Sequence, residues 1–218
     1  MQYAPIAWKK FITQGRNGIV ALKAPKILKV PTKYEQLQSD DEGLKCVQMI
    51  REHYKDDPYG FETCAIDIVS KMDGNFIDFT RTRSCRDGGR DAIGYYLIST
   101  GGKTNRPLKV DCALEAKCYS ENSGVGITQM SRLISRIRYR QFGIMVTTSY
   151  VESQAYSEVI EDDHPILIVT AADIAGILRT NQIDPSNIDQ WLRSVDGTSS
   201  RLRAYQRHMQ KMDLGKNR

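Results

Sequence analysis

The sequence predicts an α/β fold in which helices flank a mixed central β-sheet. Strand and helix patterns alternate from about residue 143 to residue 180, and three strand patterns precede them. This β–α–β–α ending is typical of a sheet with helices on both faces. The 218 residues, 40% of them hydrophobic, are enough to bury a core beneath it.

Two helices are predicted before the first strand. The first covers residues 42–56, where apolar residues recur at helical spacing, and Asp57-Pro58 ends it. Its apolar positions are Leu44, Val47, Ile50 and Tyr54. The second runs from about 59 to 72, and its inner side consists of Phe61, Cys64, Ala65, Ile68 and Val69.

Three strands then follow, at 76–81, 91–98 and 108–117. The segment 100–107 between the last two is rich in glycine, but it lacks the Walker spacing and a following helix. It is therefore interpreted as a hairpin connection and not as a phosphate-binding loop.

A helix over 128–140 opens the second half, with an inner stripe of Met130, Leu133, Ile134 and Ile137. The remaining elements predicted up to residue 180 are a strand at 143–148, a helix at 151–160, a strand at 166–170 and a helix at 171–180. Asp184-Pro185-Ser186 is expected to open one more helix, through Trp191.

Both ends of the chain are basic. Residues 1–41 are predicted to be an irregular arm or linker, 42–180 the main domain, and 181–218 a helical extension with a basic helix at 199–213. No acidic residue precedes Glu35, and the net charge is +5. Basic ends favour a polyanionic partner, although tails that only confer solubility would look the same.

The five cysteines predict neither a zinc site nor a disulfide framework, because no pair has CxxC spacing and no histidine cluster accompanies them. Reduced thiols in a cytoplasmic protein are expected instead. Pro5, Lys9 and Lys10 interrupt the first apolar residues, which argues against a signal peptide. No apolar run approaches the roughly 20 residues of a membrane span, so no membrane partner is expected.

Two short runs carry the strongest chemical signal: Asp-Gly-Gly-Arg-Asp-Ala-Ile-Gly at 87–94 and Ala-Leu-Glu-Ala-Lys-Cys at 113–118. Strand side chains alternate, so Glu115 and Lys117 point the same way and Ala116 points into the sheet. If the strand of Asp91 lies beside theirs, two carboxylates can hold a hard cation such as Mg²⁺ and the lysine can orient water or neutralise charge. The alternative is an ordinary solvated strand face.

These runs resemble the catalytic core of the Mrr-like PD-(D/E)xK restriction endonucleases, especially the cleavage domain of AspBHI-type enzymes, which cut near modified cytosine. The likeness spans about residues 44–180. It includes Tyr59-Gly60-Phe61-Glu62 and the segments 131–136, 142–150, 164–168 and 173–174. Arg90 stands where the nominal motif has proline, a position that varies in the superfamily. The resemblance implies a PD-(D/E)xK nuclease core.

The resemblance also implies roles for the motif residues. Asp91 and Glu115 would bind the metal together with the carbonyl of Ala116, and Lys117 would be the catalytic lysine. Asp87 is an alternative to Asp91, but it precedes the flexible Gly88-Gly89 and is expected to hydrogen-bond in the turn.

Two further polar residues are candidates for catalysis. Glu62 would reach a metal-bound water, or else it stabilises its helix through the macrodipole. Gln129 would face the active site from the start of the next helix, or else it is an uninvolved surface residue.

Three arginines, Arg132, Arg136 and Arg140, recur every four residues on one helical face. They are predicted to contact DNA phosphates near the scissile bond, with a solvated face as the alternative.

The predicted function is that of a Mg²⁺-dependent restriction endodeoxyribonuclease, type II- or IV-like, with Mn²⁺ able to substitute. It would cut double-stranded DNA as a homodimer or higher oligomer, in prokaryotic restriction of foreign or modified DNA. AspBHI-type enzymes carry a recognition domain for which 218 residues leave no room, so three explanations are open: a separated cleavage domain, a truncated product, or recognition by another subunit. Two alternatives remain, a repair nuclease such as a junction resolvase and a non-catalytic DNA-binding module; the complete set of Asp91, Glu115 and Lys117 argues against the latter.

Overall fold

The structure is a computed structural model that describes residues 29–82, 91–99, 106–137 and 142–197. At its centre is a five-stranded sheet in the order β1-β2-β3-β4-β5. The strands are β1 (Phe76–Arg81), β2 (Ala92–Ile98), β3 (Leu108–Lys117), β4 (Phe142–Thr147) and β5 (Ile166–Val169). The first three are antiparallel neighbours, whereas β3, β4 and β5 run parallel, so the sheet is mixed as predicted.

Helices cover both faces of this sheet. They are α1 (Lys33–Leu37), α2 (Asp41–His53), α3 (Pro58–Met72), α4 (Ile127–Arg136), α5 (Ser153–Glu161) and α6 (Ala171–Thr180). A further helix, α7, covers 188–197, where the described part of the chain ends. No helix in the described ranges is long and apolar enough to cross a membrane.

Alternate residues of the strands enter two separate cores. On one face, Leu114 and Ala116 of β3 pack in a cluster with residues of α2, α3, α6 and α7. On the other face, Ala113 of β3 and Met145 of β4 pack with residues of α4 and α5. Strand periodicity therefore places Glu115 and Lys117 on the α4 side of β3.

The apolar side predicted for the α2 segment is confirmed at Val47, Ile50 and Tyr54, which are buried, but not at Leu44. Leu44 is 46% exposed, whereas Cys46 is 2% exposed. The reason is a close approach of α2 to α6, since a β-carbon added at Gly43 would lie 2.9 Å from the β-carbon of Ala175. With Gly43 turned towards α6, Leu44 points to solvent. The inner residues predicted for α3 are all buried, as expected.

The segment before residue 42 is not wholly irregular, because α1 lies within it and α2 begins at Asp41. The Gln36 side chain attaches α1 to the domain: its Nε2 donates to the carbonyl of Val151 at 3.0 Å, and its Oε1 accepts from the Val151 amide at 2.9 Å. Residues 1–28 lie outside the described residues.

The segment from 188 onwards belongs to the main core and does not merely extend it. Its helix begins at 188, after a turn over 185–187, and four of its residues join the α2–α3–α6 cluster. They are Ile188, Trp191, Leu192 and Val195. Trp191 Nε1 donates to Asp67 Oδ2 at 2.6 Å, which ties α7 to α3. The basic helix predicted at 199–213 lies outside the described residues.

The remaining elements match within a few residues. The helix predicted over 128–140 is observed at Ile127–Arg136, and 138–141 are not described. The hairpin segment 100–105 is also outside the described ranges. Cys46, Cys64, Cys112 and Cys118 are free of disulfides, and Cys85 is not described.

Candidate active site

Asp91 is held between two strands by its backbone. It directly precedes β2, its amide donates to the carbonyl of Leu114 at 3.0 Å, and its carbonyl accepts from the amide of Thr82 at 3.1 Å. Asp91 therefore continues the sheet between β1 and β3, although it is not within the strand itself. Its neighbours at 83–90, including Asp87, lie outside the described residues.

The structure brings Asp91, Glu115 and Lys117 together at the end of β3. Asp91 Oδ2 accepts a hydrogen bond from the Ala116 amide at 2.7 Å and lies 3.8 Å from Lys117 Nζ. Lys117 Nζ lies 3.0 Å from Glu115 Oε1 and donates to the Ala116 carbonyl at 3.1 Å. The lysine thus lies in contact with both carboxylates.

Glu115 is the most unusual group of the cluster because it is fully buried. Its contact with Lys117 is an ion pair, and within the described part of the chain neither of its oxygens has a partner in hydrogen-bond geometry. Burial raises the pKa of Glu115, and the charges of Lys117 and Arg132 oppose that rise. Buried polar atoms without partners are costly and rare, so these oxygens call for a ligand.

A divalent metal fits this donor set. Two carboxylates and one backbone carbonyl converge, namely Asp91, Glu115 and Ala116, and hard cations such as Mg²⁺ often bind through one or two carboxylates plus water and phosphate. The described ranges contain no cluster of three or more His, Cys, Asp or Glu side chains that could hold a metal on its own. The unpartnered oxygens of Glu115 are the observation that favours a cation here.

Glu62 lies on α3, beyond its first turn, so the macrodipole interpretation is wrong. Asp57 caps that helix instead, accepting from the Gly60 amide at 2.9 Å. Glu62 pairs with Arg81 of β1, whose Nη2 is 2.6 Å and whose Nε is 3.1 Å from Glu62 Oε2. Burial raises the pKa of Glu62 to about 7, the Asp91 charge adds to this, and the charges of Arg81 and Lys117 oppose it.

Gln129 and the arginine face lie on α4, which covers the same side of β3 as Glu115. Gln129 is half-buried, and its Oε1 accepts from the Gly126 amide at 3.2 Å, which caps α4. Arg132 is exposed, and its charge acts on Glu115. Arg136 is half-buried, and Arg140 lies outside the described residues.

The end of β3 is fixed by contacts that the sequence did not indicate. The Thr148 amide donates to the Lys117 carbonyl at 3.2 Å, and Thr148 Oγ1 accepts from the Tyr119 amide at 2.9 Å. Arg51 of α2 donates through Nε to the Thr148 carbonyl at 3.0 Å. These bonds hold the backbone from the Lys117 carbonyl to Tyr119. A charged residue in an otherwise apolar helix face was the only available signal for Arg51.

The restriction endonuclease family Mrr_cat matches residues 54–178, more than half of the chain. The matched range contains Glu62, Arg81, Asp91, Glu115 and Lys117. The chain belongs to this family. The resemblance to Mrr-like restriction endonucleases is therefore confirmed, as is the predicted fold class. Members of the Mrr_cat family generally depend on a divalent metal.

Solved structures give a consistent result. The DNA modification-dependent restriction endonuclease AspBHI is 44% identical, with a TM-score of 0.73 over 89% of this chain and 49% of that one. MspJI restriction endonuclease, solved in complex with a 27-mer oligonucleotide, is 23% identical, with a TM-score of 0.65 over 89% of this chain and 45% of that one. The MspJI match supports the fold alone. This chain spans about half the length of these two proteins. No curated protein matches it significantly.

Proposed function

We propose that this chain is a metal-dependent DNA endonuclease that hydrolyses phosphodiester bonds in double-stranded DNA. The observation that carries the proposal is the contact of Lys117 with both Asp91 and Glu115, where Glu115 is fully buried and accepts no hydrogen bond in good geometry from the described residues. A site built only for stability would not bury such a group, because desolvating it is costly. Membership of a restriction endonuclease family supports the same function.

Asp91, Glu115 and the carbonyl of Ala116 would hold the cation, with Mg²⁺ as the proposed ion and Mn²⁺ as a substitute. A divalent ion there supplies positive charge at the scissile phosphate and a more acidic water molecule. Lys117 presents its ammonium beside both carboxylates, where it orients the attacking water or donates to a phosphate oxygen. Glu62 lies within electrostatic range of Asp91 and Lys117 and would accept a hydrogen bond from that water.

The α4 helix would position the DNA. Arg132 is exposed and close enough to act on Glu115, so it would bind a phosphate near the scissile bond, with Arg136 and Arg140 extending the contact. The oxygen of Gln129 caps α4, which leaves its amide nitrogen to contact the substrate. Cutting both strands takes two such sites, so a dimer or higher oligomer is proposed on DNA.

The proposed biological role is restriction of foreign or modified DNA. It is supported by 44% identity to AspBHI, a modification-dependent restriction endonuclease. The chain matches only 49% of that protein, so we propose that target recognition is supplied by a separate domain or subunit.

Lys117→Ala is the variant that tests the proposal. Supercoiled plasmid is incubated with the chain in Mg²⁺, in Mn²⁺ and in a chelator, and nicked and linear products are quantified. The parent cuts with either metal and not with the chelator, whereas Lys117→Ala retains less than about a tenth of the rate. Lys109→Ala, on the same strand but 53% exposed and paired with Asp78, is the matched control and keeps the parent rate.

Retained cutting by Lys117→Ala above a tenth of the parent rate would contradict the catalytic assignment. Plasmid binding by the parent without any cutting would indicate a DNA-binding module instead. Selective cutting of four-way junctions over linear duplex would indicate a junction resolvase.

A further inference from the structure

We infer that Arg81 is a positioning residue of the active site, which holds Glu62 in one orientation beside Asp91 and leaves one oxygen of Glu62 for a ligand. This inference rests on the proposed function of the site. Neither the motif nor the family match assigns a role to Arg81, which lies at the end of β1, ten residues before Asp91.

The guanidinium of Arg81 is fixed from three sides. Nε and Nη2 both donate to Glu62 Oε2, at 3.1 and 2.6 Å, and Nη1 lies 3.4 Å from Thr63 Oγ1. The pair is secluded, with side-chain exposures of 9% for Arg81 and 13% for Glu62. A planar fork held at all three nitrogens has little freedom, so the one carboxylate oxygen that it binds, Glu62 Oε2, is held in place.

The same strand register that places Asp91 also places Arg81. Arg81 pairs with Ala92, the residue after Asp91, and the Thr82 amide donates to the Asp91 carbonyl at 3.1 Å. The sheet therefore sets the distance between the Arg81–Glu62 pair and the catalytic strand end. A displacement of β1 would move Glu62 and Asp91 apart.

The guanidinium of Arg81 offsets part of the negative charge of the site. Glu62, Asp91 and Glu115 contribute three carboxylates, and the Asp91 charge acts directly on Glu62. Without Arg81, Glu62 would lose both hydrogen bonds that hold its Oε2 in place. Stability alone is a poor explanation for the pair, because replacing a buried ion pair by apolar residues is often neutral or stabilising.

Both hydrogen bonds from Arg81 go to Oε2, and no described residue donates to Glu62 Oε1. Oε1 is therefore the oxygen that Arg81 leaves to a water molecule of the metal site. Residues that orient the immediate ligands of a metal typically change its affinity by about 10- to 100-fold when they are mutated. Arg81 should act on metal binding in this way, through Glu62.

The test is titration of the full 218-residue chain with Mn²⁺ by calorimetry, in the absence of DNA. Arg81→Met should weaken Mn²⁺ binding by about tenfold, and Glu62→Gln by a similar factor. The double variant should bind no more weakly than Glu62→Gln alone, because Arg81 acts only through Glu62. Arg81→Lys, which keeps the charge but loses the fork, should fall between the parent and Arg81→Met.

Arg179→Met is the matched control, since it removes an arginine that pairs with Asp40 and is 70% exposed. It should bind Mn²⁺ like the parent. Circular dichroism checks the folding of each variant, and if Arg81→Met does not fold, Arg81→Lys in the presence and absence of Glu62→Gln gives the same comparison. The coupling between Arg81 and Glu62 should also appear in kcat on plasmid DNA, with KM little changed.

An Mn²⁺ affinity of Arg81→Met equal to that of the parent would overturn the inference alone, provided that the parent binds Mn²⁺. Additive losses in the double variant would also overturn it, because a purely structural arginine acts independently of Glu62. A parent chain that does not bind Mn²⁺ would overturn the proposed function and this inference with it.

Discussion

Glu115 shows how a single residue can indicate a functional site. It is fully buried and ion-paired to Lys117, and its oxygens accept no hydrogen bond in good geometry from the described residues. Its position on β3 follows from strand alternation and was predictable from sequence. Its lack of hydrogen-bond partners was not, because that depends on the helices and strands packed around it.

The two carboxylates lead to the first prediction. Asp91→Asn and Glu115→Gln should each weaken Mn²⁺ binding by at least about tenfold, because each removes an anionic oxygen from a hard-cation site. Calorimetry measures this. Asp78→Asn, which removes a carboxylate that is 57% exposed and paired with Lys109, is the control and should bind like the parent. Unchanged affinity in both active-site variants would place the metal elsewhere, towards Asp87.

The Arg81–Glu62 pair marks the limit of residue-level prediction. The two residues are 19 positions apart, and their contact depends on how α3 lies over β1. A sequence pattern gives the periodicity of each element but not the register between a helix and a strand. Glu62 was therefore assigned to two possible roles, and its actual partner was not identified.

At the scale of elements, local patterns predicted the strands and the apolar side of α3 well. They failed where one helix meets another: Gly43 allows α2 to approach α6, which rotates Leu44 out to solvent. They also failed at α7, where buried Ile188 and Trp191 join a core that begins more than a hundred residues earlier. In both cases packing between distant segments decides which residues are buried.

The start of α2 gives a prediction about pH. Asp40 caps this helix by accepting from the Gly43 amide at 2.9 Å, and Arg179 Nη1 lies 2.8 Å from it. These hydrogen bonds hold the pKa of Asp40 below its ordinary value of 3.8. A lowered pKa in the folded state adds stability above the unfolded pKa, and that stability is lost as the pH falls through the folded value.

Asp40→Asn keeps a cap but removes the charge, so its melting temperature should be below that of the parent at neutral pH. The difference should shrink as the pH is lowered from about 7 to about 3 at low salt. Asp40→Ala also loses the cap and should melt lower than Asp40→Asn throughout. If the difference in melting temperature between the parent and Asp40→Asn does not change with pH, the lowered pKa of Asp40 is contradicted.

The arginines of α4 lead to a prediction about salt. DNA affinity falls as salt rises, and the slope is that of log affinity against log salt concentration. Replacing Arg132, Arg136 and Arg140 together by alanine should reduce this slope by about one unit for each lost phosphate contact. Arg132→Ala alone should account for about one unit, because this residue is exposed and acts on Glu115. Arg179→Ala is the control on a distant surface. A triple variant with the slope of the parent would show that the DNA lies elsewhere.

At the scale of the whole molecule, the described residues form a sheet flanked by helices, with the proposed active site at the end of β3. Its match to AspBHI covers 89% of its own length but 49% of that protein. The match to the restriction endonuclease family, over residues 54–178, contains every proposed catalytic residue. Of the proposed DNA contacts, the arginines of α4 would bind phosphates, and phosphate contacts position DNA but carry no sequence information.

The last prediction is that this chain by itself cuts DNA slowly and with little sequence preference. Base recognition requires side chains placed against base edges in a groove, and the proposed α4 contacts are to the backbone. Plasmids with and without cytosine methylation should therefore be cut at similar rates, and sequencing of the product ends should show no consensus. Lys117→Ala is the negative control for contaminating nucleases. A sharp consensus, or cutting of the methylated plasmid alone, would show that the chain contains its own recognition element, and residues 1–40 and 181–218 are the segments to test for it first.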